Sequence, residues 1–74
     1  MKAIISREVN GKFAEVGTMN RTVVTSQSFT VIRRRAIQYA NGGAYRIEWF
    51  LNNNKFYGEP DRVYAYPATK AMQS

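Results

Sequence analysis

The side chains that could perform acid–base or nucleophilic chemistry are few in this sequence. It has five carboxylates and contains neither histidine nor cysteine. The chain therefore lacks the commonest general base, any thiol nucleophile, and the imidazole and thiolate ligands that bind zinc. The five carboxylates are Glu8, Glu15, Glu48, Glu59 and Asp61.

The spacing of these groups does not favour catalysis. Glu8 and Glu15 can share a face of a hairpin, where carboxylates usually solubilise a protein or guard a sheet edge. Ser26 and Ser28 have no histidine to activate them. The glycines fit no phosphate-binding loop, because no Lys-Ser or Lys-Thr follows them at the required spacing. We therefore predict a protein that is not an enzyme, with no cofactor and no metal site.

Positive charge is a stronger indication of function than these possible catalytic groups. Eleven Lys and Arg residues against five acidic ones give a formal net charge of +6 at pH 7. Such a field attracts acidic partners, although a basic composition can also serve only to keep a protein soluble. Arg33, Arg34 and Arg35 suit phosphate or carboxylate, since a guanidinium group makes paired hydrogen bonds to either. The alternative for these three is a solvated helix face.

Aromatic residues alternate with basic ones in the second half of the chain. Bases of single-stranded nucleic acid stack on such rings while nearby Lys and Arg bind phosphates. Exposed Tyr and Arg are equally typical of protein interfaces. We expect Ile47, Trp49 and Phe56 in the core, which leaves Phe50, Tyr57, Tyr64 and Tyr66 for a partner. The residues predicted to contact a partner are Arg21, Arg33, Arg34, Arg35, Arg46, Lys55, Tyr57, Arg62, Tyr64 and Tyr66.

The elements that must position these residues begin with a predicted hairpin. Residues 3–9 alternate as a strand, Asn10-Gly11 favours a two-residue type I′ turn, and residues 12–18 return. This loop pairs Val9 with Lys12 and Ile5 with Val16, so that Ile5 and Val9 share a face that can be buried. Ser6 and Glu8 fall on the other face. A break over 19–21 follows, and residues 22–25 are predicted to form either a further short strand or the end of a long bent one.

Residues 29–40 are predicted to form a helix, because their apolar side chains gather on one stripe at about 100° per residue. Ser26 or Ser28 can cap its start, and Asn41-Gly42-Gly43 can end it in the left-handed conformation. Residues 29–32 also have strand propensity, so a helix that begins one turn later is the alternative. Arg34 and Arg35 point to solvent in this helix, with Arg33 beside the apolar stripe.

The last elements are predicted strands. Residues 45–51 place Tyr45, Ile47, Trp49 and Leu51 on one face. A turn at 52–54, a short strand at 55–57 and a last strand at 62–66 follow. The order β-β-(β)-α-β-β-β predicts an α+β fold, with one helix packed on a small antiparallel sheet. We expect one domain over residues 1–67 and a flexible tail over 68–74.

The chain has no apolar run long enough for a signal peptide or a membrane span. Together with the absence of cysteine, this predicts a cytoplasmic protein that has no membrane partner. A free edge of the sheet could pair two copies, so a homodimer is possible.

Three segments can be compared with a known family. They are the opening Met1-Lys2-Ala3-Ile4-Ile5 with Glu8-Val9, the Ser-led basic helix, and the strand Arg46-Ile47-Glu48 after a Gly-containing turn. Together they resemble the small type I-F anti-CRISPR proteins made by phages. The Asn10-Gly11 turn and Tyr64-Ala65-Tyr66 depart from that resemblance. It implies a phage or mobile-element protein that binds the CRISPR surveillance complex of a bacterial host and blocks its target DNA.

Two functions are therefore expected. The first is an inhibitor that docks on a host protein or ribonucleoprotein machine with an acidic or nucleic-acid surface. The second is a stand-alone protein that binds DNA or RNA directly, mostly through phosphate and with little sequence preference.

Overall fold

The computed structural model describes residues 1–9, 12–13, 20–52 and 58–68, with only the backbone of residues 12–13. It confirms an α+β fold in which one helix packs on an antiparallel sheet. In chain order the elements are β1 (Lys2–Val9), β2 (Lys12–Phe13), β3 (Arg21–Thr25), α1 (Phe29–Ala40), β4 (Tyr45–Phe50) and β5 (Arg62–Tyr66).

The first strand is central in the sheet. Along one edge β1 pairs with β4, which pairs in turn with β5. Along its other edge β1 pairs with β3 over Lys2 to Ser6 and with β2 at Glu8 and Val9. All of these pairings are antiparallel, so the described sheet is four strands wide, with β2 and β3 sharing one position.

The register of β1 agrees with the sequence prediction at one end and departs from it at the other. Val9 pairs with Lys12, as the predicted turn requires. Ile5, however, pairs with Thr22 on that edge, so the predicted pairing with Val16 is wrong. The β-branched segment that follows Arg21 takes this edge because it fits the half-buried pleated surface and brings Val24 against the core. Arg21 accordingly begins a strand, not a break.

Helix α1 begins and ends where the sequence indicates. The hydroxyl of Ser28 accepts a hydrogen bond from the backbone N–H of Val31 at 3.3 Å. Asn41 adopts the left-handed conformation with φ of 52°, and its N–H donates to the carbonyl of Ile37 at 3.1 Å. The prediction of a helix over 29–40 is confirmed, and the later start is wrong.

The core lies between this helix and the sheet. Ile32 and Ala36 of α1 pack on buried side chains of the two middle strands, which are Ala3, Ile5, Tyr45, Ile47 and Trp49. The expected faces of β1 and β4 are therefore largely correct. Ser6, expected on the polar face of β1, is fully buried, and Val9 is 38% exposed because it lies near the end of β1.

Two residues at the end of β4 differ from expectation. Phe50, predicted to be available to a partner, is buried, whereas Leu51, predicted to continue the core face, is 39% exposed. Alternation stops where the strand ends, so Leu51 no longer follows the pattern of Trp49. The carboxylate of Asp61, just before β5, connects this strand to the end of β4. It accepts hydrogen bonds from the N–H groups of Leu51 at 2.9 Å and Asn52 at 3.3 Å.

Several predicted features lie outside the described residues. They are the Asn10-Gly11 turn, most of the strand over 12–18, the short strand at 55–57 with Lys55, Phe56 and Tyr57, and most of the tail. Within the described ranges, no helix has the length and apolar character needed to cross a bilayer.

Candidate functional site

Alternation along β5 divides its side chains between the two faces of the sheet. Arg62, Tyr64 and Tyr66 pair with Trp49, Ile47 and Tyr45 of β4, respectively. Side chains of directly paired residues share a face, so these three project to the side covered by α1. The helix packs mainly on β1 and β4. The side chains of β5 are therefore left beside the helix, not beneath it.

The flank of α1 that faces β5 supplies the other part of this surface. Phe29 and Arg33 are four residues apart and so lie one above the other on the helix. The Arg33 guanidinium carbon lies 5.6 Å from the centre of the Tyr66 ring, within the range of a cation–π contact. The Phe29 ring lies 5.1 Å from the Trp49 ring, tilted by 59°. We call the surface formed by Phe29, Arg33, Arg62, Tyr64 and Tyr66 the helix–β5 face.

A pair of tyrosines gives this face a fixed base. Tyr66 stacks on the buried Tyr45, with ring centres 4.8 Å apart and planes 19° from parallel. Burial raises the pKa of Tyr45 above its ordinary value, and the nearby Arg33 guanidinium opposes that rise. Tyr45 therefore remains a neutral phenol under physiological conditions. It packs against the Tyr66 ring and lies near Arg33.

The remaining members of the face are accessible. Phe29 is 53% exposed and Tyr64 is 47% exposed, so both rings present area to a partner. Arg33 and Arg62 are exposed as well. The sequences of α1 and β5 contain no carboxylate. Asp61 is adjacent to Arg62, but its carboxylate accepts from the turn at Leu51 and Asn52. The helix–β5 face therefore combines positive charge with aromatic surface.

Other arginines of the helix point elsewhere. Arg34 is exposed on the outer surface of α1, where it borders a shallow depression with Thr30, Arg33 and Ile37. Arg35 lies on the opposite flank and lines a groove against β3. Arg33 and Arg34 thus border one depression and Arg35 faces β3, and of the three only Arg33 also contacts β5, through Tyr66.

Two predicted contact residues lie on the other side of the sheet. Arg21 and Arg46 both pair in register with Ser6 of β1, which places all three on the face away from the helix. Their guanidinium groups lie 3.8 Å and 3.7 Å from the carboxylate of Glu48. These arginines thus form ion pairs within the sheet.

Phe29 was missed as a contact residue by the sequence prediction, which counted it only in the apolar stripe of the helix. Its position four residues before Arg33 was the signal that it shares a flank with that arginine. Arg7 was also passed over. Its guanidinium donates to the backbone carbonyl of Tyr39 at 3.3 Å and lies 4.7 Å from the centre of the Tyr39 ring. Arg7 therefore connects the C-terminal end of α1 to β1.

Among the described residues there is no group of three or more potential metal-ligating side chains. Comparison with protein-family models, with curated proteins and with solved structures gave no match. The function must therefore be inferred from the geometry of the helix–β5 face, and the resemblance to anti-CRISPR proteins stays a prediction.

Proposed function

We propose that this chain is a non-catalytic binding protein that contacts single-stranded nucleic acid through the helix–β5 face. One observation carries the proposal. Two exposed arginines and two exposed aromatic rings share one surface, formed by a helix and a strand that contain no carboxylate.

Each type of side chain has a separate role. Arg33 and Arg62 bind phosphate oxygens, because the planar guanidinium group matches their geometry. Tyr64 and Phe29 offer rings on which bases stack, with a contribution of roughly 1–3 kcal/mol per base. Stacking on a protein ring requires a base that is free of its own duplex, so the proposed ligand is single-stranded.

Neighbouring residues on opposite faces of β5 provide a matched test. Tyr64 and Val63 are 47% and 50% exposed, but their side chains project to opposite sides of the sheet. Tyr64→Ala should weaken binding of a fluorescent single-stranded oligonucleotide by about tenfold. Val63→Ala should leave it within about twofold. Fluorescence anisotropy measures both, and equal effects of the two variants would exclude the face.

The arginines allow a second, charge-matched test. Arg62→Ala and Arg35→Ala each remove one positive charge, but Arg35 lies on the flank of α1 that faces β3. Arg62→Ala should lower affinity more strongly and reduce the slope of log affinity against log salt by about 0.7, the value for one phosphate contact on a single strand. If the two variants behave alike, binding follows net charge alone and the site is not localised.

A second candidate function is supported by the apolar surface of α1. Phe29, Val31 and Ile37 are 53%, 38% and 48% exposed, and apolar side chains mixed with arginine are typical of protein interfaces. We propose as the alternative that the protein docks on a host protein or ribonucleoprotein machine, as a phage inhibitor would. A tagged pull-down from bacterial lysate, with and without nuclease, separates the two functions. A discrete protein complex that survives nuclease favours docking, whereas loss of all retained material favours direct nucleic-acid binding.

A further inference from the structure

The outer edge of β5 has the properties of a pairing surface. Among the residues that the structure describes, none pairs with this edge, and four of the five side chains of β5 are exposed. Natural sheets usually protect such an edge with a bulge, an internal proline or an inward-pointing charge. The sequence of β5, Arg-Val-Tyr-Ala-Tyr, contains no proline and only one charge, at its first position.

The hydrogen-bonding pattern shows which backbone groups are available. The N–H of Glu8 donates to the carbonyl of Ala44, so the even-numbered residues of β4 direct their backbone groups to β1. The odd-numbered residues of β4 therefore bond to Arg62, Tyr64 and Tyr66. By the same alternation, Val63 and Ala65 direct their N–H and C=O groups to the outer edge of β5.

We propose that two copies of this chain pair through β5 in an antiparallel, two-fold arrangement centred on Tyr64. In this register Val63 bonds to Ala65 of the second copy, and Tyr64 lies opposite its own equivalent. Arg62 lies beside Tyr66 of the second copy, where an arginine and an aromatic ring attract each other. No two equivalent charges face each other within the strand pair. The strand is thus complementary to itself, as a two-fold interface requires.

This pairing joins two helix–β5 faces into one groove, because a two-fold axis perpendicular to the sheet keeps both helices on the same side. Each helix lies over β1 and β4, so the helix axes are separated by four strand spacings, roughly 19 Å. A helix with its side chains is about 10 Å across, which leaves a gap of about 9 Å. The groove admits one extended strand and excludes a double helix.

Electrostatic repulsion couples the pairing of two copies to the binding of nucleic acid. Arg33 already lies against Tyr66, so Arg62 from the second copy brings a further guanidinium group to each end of the groove. Their repulsion weakens the empty dimer, and a bound phosphate chain relieves it. That the groove holds a nucleic acid depends on the proposed function; the pairing of β5 does not.

Engineered cysteines test the pairing directly, since the natural chain contains no cysteine. Tyr64→Cys places two thiols on the two-fold axis, with Cα atoms about 4.5 Å apart, within the range of a disulfide. Arg62→Cys is the control, because its two copies are four residues apart along the strands, roughly 13 Å. Under mild oxidation without nucleic acid, Tyr64→Cys should form at least about tenfold more disulfide-linked dimer than Arg62→Cys. Equal or absent linkage at both positions would overturn the inference.

A proline adds a second test in the Tyr64→Cys background. Ala65→Pro removes an N–H that points to the outer edge of β5 and leaves the bonds to β4 intact. It should abolish the disulfide-linked dimer while circular dichroism stays native, and persistence of the dimer in the folded variant would contradict the pairing. Oligonucleotide binding is measured on the natural chain, because Tyr64→Cys removes a ring that the proposed function uses. If Tyr64→Cys is linked but the natural chain binds no oligonucleotide, the proposed function fails and the dimer stands.

Discussion

The two faces of the sheet use arginine in different ways. On the face away from the helix, Arg21 and Arg46 flank the carboxylate of Glu48 and hold neighbouring strands together. On the helix side, Arg33 and Arg62 lie among aromatic rings, and the helix and strand that carry them contain no carboxylate. The comparison shows that an arginine in a small basic protein is assigned to structure or to binding by the residues that share its face.

Removing the shared carboxylate should have the largest effect on the face away from the helix. Glu48→Ala leaves two partly buried guanidinium groups without their counter-charge, so we expect the free energy of unfolding to fall by about 1–2 kcal/mol. Urea denaturation measures this loss. Glu59→Ala removes an exposed carboxylate and is the control, with an expected change below about 0.5 kcal/mol. Similar losses in both variants would show that the ion pairs contribute nothing specific.

Alanine substitutions of Arg46 and of Arg62 should have opposite effects, one on stability and the other on oligonucleotide affinity. Arg46→Ala should lower the free energy of unfolding by about 1 kcal/mol, through lost ion pairing and packing, and leave oligonucleotide affinity within about twofold. Arg62→Ala should do the reverse, with an unfolding free energy changed by less than about 0.5 kcal/mol and a clearly weaker affinity. Denaturation and anisotropy on the same preparations test the contrast. It fails if both variants lose the same property.

The smallest expected effect concerns Tyr45 beneath the helix–β5 face. Its pKa is raised by burial from the ordinary value of 10.0, so the folded protein holds the phenol proton more tightly than the unfolded chain does. The corresponding stability is complete below pH 10.0 and is lost as pH rises through the folded-state pKa. Tyr45→Phe should therefore lose less stability with rising alkalinity than the natural chain. Thermal unfolding of both proteins, measured as a function of pH, tests this. The same loss of stability with rising pH in both would refute it.

Local patterns in the sequence were enough for the helix and for β4. Ser28 and Asn41 cap α1 as their side chains and backbone preferences require, and the alternation of Tyr45, Ile47 and Trp49 reports their burial directly. These signals act within a few residues of the chain. The sequence-based boundaries of the helix were accordingly correct.

Long-range competition could not be predicted in the same way. Nothing near Ile5 indicates that Thr22 and not Val16 lies opposite it, because both candidate partners are β-branched. Which arginines form ion pairs and which lie on the helix–β5 face also depends on long-range strand pairing. Arg21 and Arg46 lie in the row of Ser6, next to Glu48, only because two separate strands pair with β1 in this register. A site whose charges depend on register is visible only once the register is known.

The central position of β1 has a consequence for how the protein is made. A ribosome releases this strand before any of its partners, and Lys2 pairs with Phe50, far along the chain. One edge of this strand can pair with β3 once Thr25 has been released, but its other edge has no partner until β4, which ends at Phe50, has been made. A chain truncated before β4 would therefore leave one edge of its apolar first strand open to aggregation and proteolysis.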